Sequence, residues 1–237
     1  MQTNQSDIGT MLSNILCGEK SLIRVAENAK YSAEDVTNVL LYAATSTSNS
    51  IESAVQDLKT KYPDSKIPSA DTVHNYIKSN DIAEILSTFR EINSESIKTV
   101  NIDRTSQKVA IDFHDIAYYG DKNTKGVRGI KPKNGTSWGY SFLTADVVGD
   151  CKLTLDVVNL TGLNKNYATL IKGIINTINN YMIDIEVMLM DREFFNLDSI
   201  MTLDATGTKF IVPAVLNKRI KKKSLSSKLC MEGSQAS

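Results

Sequence analysis

Two aspartates, far apart in the chain, stand where an apolar strand pattern meets an acid. In Lys108-Val-Ala-Ile-Asp-Phe-His-Asp115, Val109, Ile111 and Phe113 alternate with Ala110, Asp112 and His114. That is the period of a pleated strand. Burying an unpaired carboxylate is expensive, so Asp112 calls for a partner or a ligand. A second run, Ile185-Glu-Val-Met-Leu-Met-Asp191, is strand-like and also ends in an acid. If the fold sets the two side by side, Asp112 and Asp191 become a pair of oxygen donors for a divalent metal. Plainer alternatives exist. Asp112 could be a strand-end acid paired with Lys or Arg, and Asp191 the N-cap of a helix opened by Arg192-Glu193. Asp115 rivals Asp112, but a step of three residues puts it on the opposite strand face, beside Phe113, so Asp112 is preferred. His114 shares the face of Asp112 and could touch a substrate. Glu193 reads as a member of a surface ion pair rather than a ligand.

Composition narrows the setting. The 237 residues suffice for one large or two small domains, and 41% hydrophobic with 23% charged residues is ordinary for a soluble globular protein. Formal net charge is zero, so nothing global points to nucleic acid. The distribution does. Lys122, Lys125, Arg128, Lys131 and Lys133 crowd one stretch against a single nearby acid, Asp121, and a second basic cluster runs from Lys218 to Lys228. Cys17, Cys151 and Cys230 have no metal spacing and suit a reducing compartment. With only His74 and His114 present, a zinc cluster is not expected. No apolar run is long enough for a membrane span and the first residues do not read as a signal peptide, which predicts a cytoplasmic protein.

The first hundred residues read as helical. Ser32-Ala-Glu-Asp35 resembles a capping box, and Val36, Val39, Leu40 and Ala43 then share a face. Thr47 to Tyr62 repeats the pattern. Pro63 and Pro68 punctuate a turn, and Ser69 or Asp71 caps a third helix with Val73, Tyr76 and Ile77 inward. A fourth runs from Asp81 to Ile97, with Ile82, Ile85, Leu86 and Phe89 inward. Short helices ending in one with small polar and basic side chains outward fit a helix-turn-helix DNA reader, or equally a plain helical bundle.

After residue 100 the pattern changes. A strand at 108–116 is followed by a glycine-rich basic connection, 118–137, expected as a mobile surface loop. Strands at 138–148 and 152–160 complete an antiparallel meander, the latter with Leu153, Leu155 and Val157 on one face. A helix at 165–181 carries Leu170, Ile174 and Ile178 as a stripe. The run 185–190 suits a central strand covered on both faces and parallel to a partner. A helix at 197–204 and a strand at 209–215 follow. The lone Trp138, at a strand start, is expected in the core. The predicted class is α/β, a ribonuclease H-like mixed sheet (three antiparallel strands, helix, strand, helix, strand) preceded by an all-α domain. In that fold the first and fourth strands are central neighbours, and Asp112 and Asp191 would face each other. The expected domains are 1–100, helical and DNA-binding; 101–217, catalytic; and 218–237, a basic disordered tail.

The stretches Ala110-Ile-Asp-Phe-His-Asp-Ile-Ala-Tyr-Tyr-Gly120, Leu189-Met-Asp-Arg-Glu-Phe-Phe195 and Lys209-Phe-Ile-Val-Pro213 carry a resemblance. Over about residues 109–215 the chain looks like the DDE transposases of insertion sequences, within them the group with an insertion-sequence-4-like catalytic domain. The resemblance implies DNA phosphodiester hydrolysis followed by strand transfer at element ends, with Mg2+ (or Mn2+) held by Asp112 and Asp191. It implies double-stranded DNA as partner, for both element ends and target, and a nucleoid-associated location. Pairing two ends fits a homodimer, although no interface is legible. Lys122, Lys125, Arg128, Lys131 and Lys133 would then track DNA phosphates, and Trp138 could stack on an exposed base. One departure matters. The family's third acid, a glutamate in a Tyr-x-x-Arg-x-x-x-Glu setting on a later helix, has no counterpart here. Glu232 is the only acid after Asp204, in no such setting. The expectation is a truncated, impaired copy. The competing readings are a noncatalytic DNA-binding remnant and another ribonuclease H-like nuclease.

Overall fold

The computed structural model describes residues 21–47, 50–99, 106–149, 153–161 and 166–214. The expected basic tail, and Glu232 with it, lies outside the described residues. The chain divides into two compact units, Met1–Ile102 and Asp103–Ser237.

The first unit holds α1 (Ala33–Thr45), α2 (Ile51–Lys61), α3 (Ala70–Ser79) and α4 (Ile82–Thr99). The capping box closes as expected: the Asp35 amide donates to Ser32 Oγ at 3.2 Å, and the Ser32 amide donates to Asp35 Oδ2 at 2.8 Å. Ser50 and Ser69 cap the next two helices. The first of these caps explains why α2 starts four residues later than its periodicity suggested. Ser50 satisfies an orphan amide of the first turn, and a serine does that better from outside the helix than within it. Val36, Val39, Ala43, Ala54, Val55 and Val73 form the buried core, with Ile23 from the preceding segment. Ile82, expected inward, is exposed instead. It is the first residue of α4, ahead of the part of the stripe that packs.

The second unit is built on a six-stranded mixed sheet. Its elements are β1 (Gln107–Ala117), β2 (Arg128–Lys133), β3 (Thr136–Val147), β4 (Leu153–Asn159), α5 (Tyr167–Asn180), β5 (Ile185–Met190), a 3-10 turn (Arg192–Phe194), α6 (Leu197–Ala205) and β6 (Phe210–Ile211). The strand order is β2-β3-β1-β5-β6, with β4 also on β3. β1 pairs antiparallel with β3 and parallel with β5, and β5 pairs parallel with β6. Three antiparallel strands, a crossover helix and two strands parallel to the first are the topology of a ribonuclease H-like fold. The stripe Leu170, Ile171, Ile174, Ile175 and Ile178 buries α5. On the sheet, Val109, Ile111, Leu143, Ala145, Val147, Met188 and Met190 are buried. The alternate residues of β1, Asp112, His114 and Ile116, are exposed.

Three local expectations change. The stretch 118–137 is not only loop: it contains β2, joined to β3 through Asn134 and Gly135. Both have positive φ, 51° and 85°, the backbone of a two-residue hairpin turn, which Asn-Gly favours. Next, β5 is covered mainly on one face. Met188 and Met190 are buried beside Val109 and Ile111, whereas Val187 and Leu189 are half-exposed. Finally, Leu153, Leu155 and Val157 do not share a face. Ala145 pairs with Asp156 and Asp146 with Thr154, so Leu155 is the extra residue of a bulge. A bulge shifts the parity of every residue beyond it.

The helical unit carries a pH signature. His74 Nε2 on α3 lies 2.9 Å from Glu52 Oε1 on α2, and Ser50 Oγ donates to Glu52 Oε2 at 2.7 Å. These two hydrogen bonds, His74's first, pull the Glu52 carboxyl down from 4.5 to about 2. A carboxylate whose folded value is depressed stabilises the fold above its unfolded value and loses that contribution as pH falls through the folded one. A carboxyl NMR titration of the full chain should therefore show Glu52 protonating near pH 2, and the Glu52→Gln variant should lose part of the wild type's acid sensitivity between about pH 4.5 and 2.

Candidate functional site

Asp112 and Asp191 are brought together by register. On β1 and β5 the last parallel pair is Ile111 with Met190, so the next residue on each strand is an aspartate. Neighbouring strands run about 5 Å apart. Both side chains are exposed and line one cleft of about 250 Å³. Each accepts a local backbone amide: Asp112 Oδ1 that of Phe113 at 2.8 Å, Asp191 Oδ1 that of Glu193 at 2.7 Å. Asp191 is therefore both the acid after the strand and the N-cap of the 3-10 turn. The two sequence alternatives describe one residue in both roles. Asp112 is in no ion pair among the described residues.

The same cleft is lined by Asp115 and Glu193, and by Lys131 and Lys133 of β2. Asp115 accepts from Ser141 Oγ, its partner across the β1–β3 ladder. Lys133 Nζ donates to the Asp115 carbonyl at 3.0 Å. Glu193 does form an ion pair, with an exposed lysine but a largely enclosed carboxylate. Its side chain is only 18% exposed, with Lys131 Nζ at 2.7 Å from Oε2 and Tyr167 Oη at 3.3 Å from Oε1. Beneath it Phe194, wholly buried, stacks on Phe113 with centroids 4.8 Å apart, and Tyr167 meets both rings edge-on. Aromatic groups from β1, α5 and the 3-10 turn thus fix the floor under the acids. The Glu193 hydrogen bond and charge, then the fields of Asp191 and Asp115, hold the Lys131 ammonium above its usual range.

Of the basic residues read as phosphate contacts, Lys131 and Lys133 reach the acid cleft. Lys122 lies over the Trp138 ring, 6.0 Å from its centroid, and Lys125 is exposed. Arg128 is spent on the fold, donating to the Leu160 carbonyl at 3.0 Å. Trp138 is not core: it is 42% exposed. Its parity on β3 puts it with Tyr140 and Phe142, on the face opposite the buried Ser141, Leu143, Ala145 and Val147, and its partner on the neighbouring strand is Gly129 of β2. Tyr167 and the Lys131–Glu193 contact escaped the sequence reading. The Asn134-Gly135 signal could have exposed the second, because it predicts the hairpin that carries Lys131.

A divalent metal fits the donor set. Magnesium prefers oxygen ligands and is commonly held by one or two carboxylates, with water and substrate phosphate completing its shell. Asp112 and Asp191 offer that much. Among the described residues no cluster of three or more His, Cys, Asp or Glu groups suits a metal ion.

No family model and no curated protein matches the chain. Among solved structures it is similar to the piggyBac transposase synaptic complex with hairpin DNA, at 13% identity, 89% of this chain, 51% of that one and a TM-score of 0.49. It is also similar to the Drosophila P element transposase strand transfer complex (12%, 89% and 48%, 0.38). A third is the Mos1 transposase paired-end complex with the left transposon end (11%, 81% and 61%, 0.31). The chain spans about half the length of the first two. The fold assignment stands on the strand order itself. No helix among the described residues is long and apolar enough to cross a membrane.

Burial first, then the charge of Glu193, raises the Tyr167 phenol from 10.0 to about 12. In an absorbance titration, the difference between wild type and Tyr167→Phe should show a phenolate appearing near pH 12 rather than 10. A difference midpoint at 10 would mean that the hydroxyl is open to water.

Proposed function

We propose that this protein binds DNA and, with a divalent metal, cleaves and transfers phosphodiester strands as a transposase of the DDE type. One observation carries the reading: Asp112 and Asp191 occupy adjacent positions on the two central parallel strands and open into one cleft. Rigid neighbouring strands set carboxylates at the spacing that in-line phosphoryl chemistry requires more reliably than loops do. The resemblance of the Asp112 and Asp191 segments to insertion-sequence enzymes adds the substrate class, the ends of a mobile element. It names Mg2+ or Mn2+ as the ion.

In this reading Asp112 and Asp191 hold the metal. Bound there, it supplies Lewis-acid stabilisation of the charge that builds on the phosphate oxygens during in-line displacement. The chain's own groups do the rest. Phe113, stacked on the buried Phe194, braces the floor of the cleft. Lys131 and Lys133 offset about half of the charge of the four carboxylates, which, with the metal, lets an anionic backbone approach. Lys122 and Lys125, in the segment before the hairpin, extend the positive surface, and each contact with a phosphate there releases a counterion. Asp115 and Glu193 are already engaged, by Ser141 on one side and by Lys131 and Tyr167 on the other. A third ligand is not assigned.

The decisive experiment is magnesium-dependent nicking of duplex DNA carrying element ends. Asp112→Asn and Asp191→Asn should each lower the rate by about 10²-fold or more, the scale of losing a charge-stabilising group, while DNA affinity in the absence of metal is kept. Tight binding with no metal-dependent nicking in the wild type would favour the noncatalytic alternative. Cleavage confined to RNA–DNA hybrids or branched DNA would favour a different nuclease of this fold. Lys122→Ala with Lys125→Ala should weaken binding uniformly across sequences and reduce the slope of log affinity against log salt by about one per lysine. Filter binding between low and moderate salt measures that slope.

A further inference from the structure

The acid cleft has an electrostatic difficulty. Four carboxylates line it, and the proposed substrate is itself an anion. A phosphodiester needs a cation on the cleft wall before it can settle there. Lys131 is the candidate in position, but its side chain is 78% exposed. A lysine stem of that kind has much rotamer freedom and does not stay at one point unaided. What holds it is Glu193, through the 2.7 Å contact of Lys131 Nζ with Oε2.

Glu193 is unusually well placed to do this. Its carboxylate is mostly enclosed and meets the Tyr167 hydroxyl of α5 with its other oxygen. Its backbone amide is the one that Asp191 Oδ1 accepts. The residue that fixes the lysine is therefore part of the same 3-10 turn that orients the second aspartate. The turn is pinned in turn by Phe194 against Phe113 of β1. The lysine end of the pair is 78% exposed, and an ion pair with one partner in solvent adds little to stability, so the pair is poorly explained as a brace for the fold. It is well explained as a means of keeping one ammonium group at a set place beside two carboxylates.

We infer that Glu193 is a positioning residue that holds the Lys131 ammonium at the wall of the acid cleft, where it receives a non-bridging oxygen of the DNA phosphodiester. This rests on the DNA-cleavage reading of Asp112 and Asp191. The lysine's second partner is an anion of the same kind as its first, so the phosphate shares or takes over an interaction already shaped for an oxyanion. Lys133, tied to a backbone carbonyl on the same wall, is less suited, because its partner carries no full charge.

The test is a double-mutant cycle of Glu193→Gln and Lys131→Met, with Lys131→Arg as the conservative variant, in the full chain. Glu193→Gln keeps the size of the side chain and a group for Tyr167 to meet. Thermal unfolding followed by circular dichroism checks that each variant is folded. Single-turnover nicking should fall on the order of tenfold in Glu193→Gln and in Lys131→Met, the scale for losing a contact that orients a reacting group. The double variant should be no slower than Lys131→Met alone, and Lys131→Arg should keep most of the rate. Lys131→Met should also lower the salt slope of DNA affinity by about one. Additive losses in the double variant, a wild-type rate in Glu193→Gln, or an unchanged salt slope in Lys131→Met would each overturn the inference. If the wild type does not nick DNA, the cleavage reading fails by itself. The cycle is then read in DNA affinity: a non-additive loss upholds the placement of Lys131, and additivity or no loss overturns it.

Discussion

The parallel register of β1 on β5 is the constraint on which the candidate site depends. Ile111 and Met190 are paired and buried, and the residue after each is an aspartate. Side chains on a strand alternate between faces, so a slip of one residue would turn Asp112 into the α5-covered side and bring Ile111 to the surface. The apolar partners therefore do more than fill space. Val109 with Met188 and Ile111 with Met190 fix the slide of one strand on the other, and the acids inherit their placement from that fit. The energetic argument runs the same way. Burying several large side chains strongly favours one register. The aspartates, both exposed and each satisfied by a local amide, contribute little to choosing it. The site is a passenger on the core.

That dependence explains which parts could be read from the chain alone. The first strand of the meander and the crossover helix announce themselves through periodicity, the alternation on β1 and the apolar stripe on α5, whereas the central strand is legible only as a short continuous apolar run. Asp112 was legible as an acid inside such a repeat. Asp191 was legible as an acid at the end of an apolar run. Their adjacency required the topology, and the topology came from the order of the elements. By contrast, the bulge at Leu155 leaves no trace in composition. A strand with one extra residue looks the same as one without it until its partner is known.

The hairpin leaves little more in the sequence. Between Tyr118 and Ser137 the residues are polar, basic and rich in glycine, the signature of a surface loop, and β2 has no buried face to give it a repeat: most of its residues are exposed. Only the Asn134-Gly135 pair, with both residues at positive φ, distinguishes it from coil. Reading that region as loop left Lys131 as one of five interchangeable cations. The structure separates them. Arg128 is absorbed by the Leu160 carbonyl, Lys122 lies over an exposed indole, and Lys131 reaches across the cleft to Glu193. Charge runs in a sequence report how many cations there are, and the fold decides which of them meets an acid.

Once Lys131 and Glu193 are set apart from the other charges, the cleft's composition becomes intelligible. A site for metal-assisted chemistry on an anion has to be acidic enough to hold the cation and basic enough to admit the substrate. A single wall of carboxylates meets the first demand and defeats the second. Here the two signs come from different elements: acids from β1 and the segment after β5, bases from the hairpin folded over them. Dividing them lets each be fixed by its own packing. Phe113 and Phe194 set the acids, and the β2–β3 pairing sets the lysines. Glu193 joins the two sets, since it orders Asp191 through its amide and Lys131 through its carboxylate. Breaking that joint should leave both charged walls in place and remove the coupling between them.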